Sequence, residues 1–144
     1  MTNRERIREK LVELTSYIDD LVKLQNLSWA DFQSNVMLRR GVERTLQVAV
    51  ECTLDIGNMV ISHEQWRAAE SNRDVFRVLA EHGVLSVSLL NNLMKAASYR
   101  NILVHEYTRI EPSVVFNLLK KMPKDLRDFR DRLLPLLEGD GGRA

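Results

Sequence analysis

Residues that cross-link or interrupt a chain are scarce in this sequence. Its 144 residues include one Cys, three Pro and six Gly. A lone cysteine, Cys52, excludes an intrachain disulfide and a zinc site made of cysteines. It is also typical of a reducing cytoplasm, which is where we expect the protein. With so few helix breakers, the composition favours an all-α domain.

Long apolar runs and a surplus of one charge are missing as well. No stretch approaches the roughly 18 apolar residues that a membrane-spanning helix needs, so we expect no membrane partner. The formal net charge is +1, which excludes a broadly basic surface for nucleic acids. Any contact with RNA must therefore depend on positive charge gathered at one place.

Apolar residues at three- and four-residue intervals predict helices along most of the chain. A first helix is predicted at about residues 3–25. Further helices are predicted after Ser28, over about 36–62, from Ser71 to about Glu81, from Ser86, from Pro112 to about Met122, and over about 124–136. Pro123 is expected to separate the last two. The pattern predicts one all-α bundle over residues 1–137, with four main helices plus short ones, and a flexible tail at 138–144.

Several conspicuous side chains have ordinary structural interpretations. Trp29 and Phe32 are predicted to be core anchors rather than a platform for a ligand. His63 and His82 lack a second imidazole or carboxylate at ligand spacing, so both are expected to be surface or capping residues. We predict no metal and no cofactor. On the last helix, basic residues alternate with Asp125, Asp128 and Asp131, which indicates a solvated face rather than an RNA track.

The longest predicted helix carries a polar row at helical spacing, formed by Arg40, Arg44, Gln47, Glu51, Asp55 and Asn58. One interpretation is a face exposed to solvent. In the other, Glu51 and Asp55, one turn apart, face another helix and hold an arginine, since an ion pair screened from water needs both partners fixed. The sequence leaves both interpretations open.

One short stretch gathers chemically active side chains, namely Arg100, His105 and Tyr107. An arginine can bind two phosphate oxygens and stabilise the extra negative charge of five-coordinate phosphorus. An imidazole, with an unperturbed pKa of about 6.5, can take a proton from a ribose 2′-hydroxyl or give one to the leaving 5′-oxygen. The pair could therefore cleave RNA without a metal. The structural alternative is that His105 forms helix-terminal hydrogen bonds and Arg100 forms an ion pair.

The spacing of this pair adds a constraint. Positions 100 and 105 would lie about 140° apart around an ideal helix. Either the helix loosens between them, or the site is assembled from two chains. A homodimer would also supply two imidazoles, one as general base and one as general acid.

The run Arg100-x4-His105-x-Tyr107, late in an all-α chain, resembles the HEPN superfamily and, within it, the HepT toxins. A second block, from Val42 to Gln47 and on through Glu51 to Asn58, is similar to the long-helix signature of that group. The resemblance covers about residues 4–137. It implies a HEPN-type bundle and a homodimeric RNase toxin, with Arg100 and His105 in a cleft between subunits and Asn101 assisting them.

The resemblance also implies a partner and a switch. Such toxins typically pair with an MntA-type nucleotidyltransferase antitoxin, in a toxin-antitoxin pair of type II or type VII character. The tyrosine that matches Tyr107 receives AMP, and added charge and bulk two residues from His105 would block RNA. Two alternatives stay open: a non-catalytic subunit that binds a nucleotide or the nucleotidyltransferase, and a purely structural dimer.

Overall fold

The computed structural model of the chain describes residues 1–105 and 111–138, with the side chains of 103–105 excepted. Six helices make up this part: α1 (Asn3–Leu24), α2 (Trp29–Ser34), α3 (Val36–Glu64), α4 (Asn72–Glu81), α5 (Val87–His105) and α6 (Pro112–Glu138). The described ranges contain no strand. The predicted all-α fold of four long helices plus short ones is confirmed. Most of the predicted tail, 139–144, lies outside the described residues.

The helices begin where the sequence supplies capping side chains. Thr2 and Glu5 form a reciprocal capping box at the start of α1. The hydroxyl oxygens of Ser28, Ser71 and Ser86 each accept a backbone N–H three residues further on, at 3.1 Å. These bonds satisfy donors that helix starts leave unpaired, which stabilises each start by about 1 kcal/mol.

The core is formed by the apolar faces of the long helices. α1 packs against α3 and α6, α5 packs against α3, α4 and α6, and α2 closes one end of the pair α3 and α6. Phe32 of α2 is fully buried, as predicted. Trp29 is 39% exposed and packs edge-on against Phe116, so its assignment to the core was wrong. None of the described helices is long and apolar enough to cross a membrane.

The prediction that Pro123 separates two helices is wrong, because Pro123 lies inside α6. A proline inside a helix costs about 3 kcal/mol. Buried apolar side chains continue at helical spacing on both sides of it, and each contributes about 1.5–3 kcal/mol. They are Val115, Leu119, Met122, Leu126, Phe129, Leu133 and Leu137. Burial of this continuous face outweighs the cost of the proline.

The connection between α3 and α4 is held by Arg67. Its guanidinium bonds to the carboxylates of Asp74 at 2.8 Å and Glu81 at 2.7 Å. The hydrogen bonds from Arg67 lower the pKa of Asp74 to about 2, so the Asp74 carboxylate stays charged at neutral pH. His82 caps the end of α4 and stacks on Trp66, with ring centroids 3.9 Å apart, which confirms its expected capping position.

Candidate active site

The C-terminal half of α5 presents Arg100 to α3. Buried Leu93, Ala96 and Ala97 hold this part of α5 on the core. Arg100 lies at the edge of that contact, with 24% of its side chain exposed. The guanidinium is therefore anchored by a packed helix and still open to solvent on one side.

Arg100 is oriented by a carboxylate of α3. Glu51 Oε1 accepts hydrogen bonds from Nε of Arg100 at 3.2 Å and from Nη2 at 3.1 Å. The Glu51 side chain is 32% exposed, so water screens this ion pair only in part. Charge-assisted hydrogen bonds of this kind are stronger than neutral ones and fix geometry as well as charge.

Two further contacts complete this arrangement. Gln47, one turn before Glu51 on α3, donates from Nε2 to the same Oε1 at 3.1 Å. On the other side, Nη1 of Arg100 donates to Oδ1 of Asn101 at 3.3 Å. Sequence reasoning placed Gln47 in the polar row without a role, although its four-residue spacing to Glu51 was a usable signal.

The guanidinium keeps donors for an anion. Of the five N–H groups of an arginine, the bonds to Glu51 and Asn101 use three within the described residues. Among the described residues, one N–H on Nη1 and one on Nη2 keep no partner. N–H donors of an arginine are suited to bind the oxygens of a phosphate.

Asp55 does not share in holding Arg100. Its carboxylate is 60% exposed and pairs with Lys10 of α1 at 3.7 Å. Of the two interpretations that the sequence leaves open, the one in which acids of α3 hold an arginine is met by Glu51 and not by Asp55. One turn of α3 separates them, and among the described residues Arg100 pairs with Glu51 and not with Asp55.

The motif histidine follows on the same helix. α5 is helical without interruption through His105, so the helix does not loosen between positions 100 and 105. These positions are about 7.5 Å apart along the axis and about 140° apart around it. Tyr107 lies outside the described residues. Among the side chains that the structure describes, which leave out those of residues 103–110, no three His, Cys, Asp or Glu form a group that could hold a metal ion.

The fold and the Arg-x4-His motif on its fifth helix define a HEPN-type helical protein. The family model described as Ribonuclease HepT-like matches residues 7–133, and the chain belongs to this family. Its enzyme class is therefore endoribonuclease, and the predicted family is confirmed.

Two relatives have names that state a substrate. A tRNA nuclease HepT of Aphanizomenon flos-aquae is 30% identical, with the match covering 96% of this chain and 98% of that protein. An mRNA nuclease HepT of Shewanella oneidensis is 29% identical over 71% of this chain and 77% of that protein.

Two solved structures share the fold. One is a toxin-antitoxin crystal structure with AMP-PNP, with a TM-score of 0.81 and 25% identity, covering 88% of this chain and 96% of that chain. The other is a tri-AMPylated Shewanella oneidensis HEPN toxin in complex with MNT antitoxin, with a TM-score of 0.79 and 26% identity, covering 92% and 98%.

Proposed function

We propose that this enzyme is a metal-independent endoribonuclease toxin that works as a homodimer, with Arg100, Asn101 and His105 of two chains lining one groove. The observation that carries the proposal is the state of Arg100. Glu51 fixes one edge of its guanidinium, and two further N–H donors keep no partner among the described residues. A fixed cation with donors left for an anion is what a phosphodiester in a cleavage site requires.

The cleavage step needs only the RNA itself as nucleophile. The imidazole of one His105 takes the proton of a ribose 2′-hydroxyl, and the 2′-oxygen forms a bond to phosphorus. The bond from phosphorus to the 5′-oxygen breaks, and the imidazolium of the partner's His105 gives that oxygen its proton. The products are a 2′,3′-cyclic phosphate and a free 5′-hydroxyl. Arg100 stabilises the added negative charge at phosphorus.

Two chains are invoked for a geometric reason. One chain offers Arg100 and His105 at positions about 140° apart on an unbroken helix, and it offers one imidazole for two proton transfers. A two-fold axis beside α5 would place both pairs in one groove, because a symmetric interface repeats the same patch. The alternative of a non-catalytic nucleotide-binding subunit requires neither the open guanidinium edge nor a second histidine.

The partner we propose is a nucleotidyltransferase antitoxin. The proposal is supported by the complexes formed by the structural neighbours, one of which contains an AMPylated toxin. The phenol oxygen of Tyr107 would attack the α-phosphorus of ATP, forming a bond to AMP and releasing pyrophosphate, while the phenol proton passes to solvent. The attached phosphodiester adds negative charge two residues from His105, which repels RNA phosphate.

Loss of either motif side chain tests the catalytic proposal. Arg100→Ala and His105→Ala should each abolish RNA cleavage, while helical content and the dimer stay unchanged, and EDTA should not inhibit wild type. Cleavage is measured with labelled RNA and gel separation. Retained cleavage in either folded variant overturns the role assignment. Absence of activity in wild type on tRNA and mRNA alike, with weaker nucleotide binding in both variants, would support the non-catalytic alternative.

Removal of the Tyr107 hydroxyl tests the switch separately. Tyr107→Phe should cleave RNA as wild type does, because the hydroxyl takes no part in the cleavage step. It should also escape inactivation by the antitoxin with ATP, and intact mass should show no added AMP. Tyr17→Phe, at a tyrosine of α1, serves as the control that remains AMPylated. AMP on the Phe variant would place the acceptor elsewhere.

A further inference from the structure

A groove runs between α5 and α6. One part, of about 180 Å³, is lined by Asn92, Lys95 and Tyr99 of α5 and by Val114, Asn117, Leu118 and Lys121 of α6. The groove continues past Asn92 and Lys121 into a recess of about 450 Å³ that reaches Ser88 and Lys124. We call these two parts together the α5–α6 groove. From Ser88 to Tyr99 it follows α5 for about 16 Å.

The lysines of the groove are only partly balanced by the acidic residues of α6. Asp128 and Asp131 are paired with Arg132 and Arg130, at 2.9 and 3.0 Å. Among the described residues, Lys95 is exposed and has no carboxylate partner.

The remaining acid of the groove is Asp125, which serves as a support. It is buried, and its carboxylate accepts a hydrogen bond from Nδ2 of Asn92 at 3.3 Å. Oδ1 of Asn92 accepts in turn from Nζ of Lys121 at 3.2 Å. Lys121 has further N–H donors, since an ammonium carries three. Asp125 thus helps hold Lys121 over the groove, with Asn92 between them.

The wall of the groove has the chemistry of a base-stacking surface. Tyr99 is half-buried, and Val114 and Leu118 add apolar surface from α6. The part of about 180 Å³ is smaller than the roughly 300–1,000 Å³ of sites that enclose a small molecule. Its size and openness to solvent suit a planar base laid against one side chain. Aromatic rings beside lysines are the usual means of binding single strands without reading their sequence.

One end of the groove adjoins the proposed cleavage site in the chain, because Tyr99 immediately precedes Arg100 on α5. Lys95 lies about 7.5 Å from Arg100 along the axis of α5 and about 140° from it around the helix, so RNA that contacts both must pass around α5. We infer that the α5–α6 groove binds the single-stranded RNA that flanks the scissile phosphate, with a base on Tyr99 and phosphates on Lys95 and Lys121. The inference rests on the proposed function, because it assumes that RNA is cut at Arg100.

The test measures binding of wild-type protein to a short fluorescein-labelled RNA in which every 2′-hydroxyl is methylated. Such RNA has no nucleophile for internal attack, so binding is separated from cleavage. Tyr99→Ala should weaken binding about 5- to 150-fold, as loss of one stacked base does. Lys95→Gln and Lys121→Gln should each lower the slope of log Kd against log salt by about 0.7, the value for one phosphate contact in a single strand.

Matched controls on α1 separate this site from general effects. Tyr17 is also a half-buried helical tyrosine, and Lys23 is an exposed lysine outside the groove. Tyr17→Ala and Lys23→Gln should bind the RNA as wild type does. Helical content by circular dichroism excludes unfolding, and Tyr99→Phe should restore most of the affinity if stacking is the contact.

Three outcomes distinguish the possibilities. If the groove variants bind RNA like their controls while wild type cleaves RNA normally, the groove inference is overturned and the proposed function stands. If wild type neither binds nor cleaves RNA, the proposed function fails first. If the groove variants lose affinity for the antitoxin alone, the groove is a protein-docking surface and the inference is overturned.

Discussion

At the scale of single residues, the orientation of the Arg100 guanidinium depends on one carboxylate. Glu51 takes both the Nε and Nη2 donors of Arg100 on one oxygen, and Gln47 donates to the same oxygen. Without Glu51, the guanidinium would be free to rotate about its flexible stem. The N–H donors that we assign to phosphate would then not be held toward the groove proposed between the two chains.

Glu51→Gln therefore tests positioning rather than chemistry. An amide keeps the size of the side chain but removes the charge, so Arg100 is held less firmly. We expect kcat for RNA cleavage to fall about 10- to 100-fold, in line with the effect of misplacing a catalytic group by about 1 Å. Steady-state kinetics on a labelled RNA would measure the change.

Asp55→Asn is the matched control for this variant. Asp55 lies one turn away on the same helix, and its exposed pair with Lys10 contributes little to stability. Its kcat should equal that of wild type. Equal losses in both variants would mean that general electrostatics of α3, rather than contact with Arg100, explains the effect.

These two carboxylates also show what the sequence could and could not predict at this scale. Their spacing predicted that an acid on α3 could hold an arginine, and Glu51 does contact Arg100. Nothing in the spacing separated Glu51 from Asp55, because the difference is which turn of α3 lies under α5. The exposure of Trp29 was missed for the same reason, since it depends on how α2 sits against Phe116.

At the scale of helices, α3 contains two glycines with opposite surroundings. A Cβ added to Gly57 would lie 2.5 Å from Cγ1 of Val75, a buried side chain of α4. Gly41, near the start of α3, is exposed and has nothing within 4 Å of such a Cβ. Gly57 is thus required by the close approach of α3 and α4, and Gly41 is not.

Alanine at each position should change the free energy of unfolding in opposite directions. Gly57→Ala should destabilise the protein, because overpacking costs about 1–3 kcal/mol and helix propensity returns only about 0.5–1 kcal/mol. Gly41→Ala should stabilise it by about 0.5–1 kcal/mol. Urea unfolding followed by circular dichroism would measure both. A stabilising Gly57→Ala would contradict the close packing of α3 on α4.

Prediction of the helices themselves succeeded where periodicity and caps agreed, as at Thr2, Ser28 and Ser71. It failed at Pro123, where a local rule about proline was given more weight than an apolar stripe that continues through it. Local propensity is a weak guide when a whole face is buried. The physical reason lies in the packing of α6 on the core, which the proline residue alone does not reveal.

At the scale of the whole molecule, the central question is how many chains make one site. The all-α fold and the family could be predicted from the sequence, because helical stripes and the motif around Arg100 and His105 are local signals. The number of chains is not a local signal. We propose two chains because the unbroken α5 holds positions 100 and 105 about 140° apart and because cleavage needs two proton-transfer groups.

The most direct test mixes wild-type chains with His105→Ala chains, unfolds them together and refolds them, and then measures RNA cleavage at fixed total protein. At equal amounts, random pairing leaves one quarter of the dimers with two wild-type chains. If both histidines serve one groove, activity should fall to about one quarter of the all-wild-type value. A fall to about one half, which independent sites would give, would contradict the shared site.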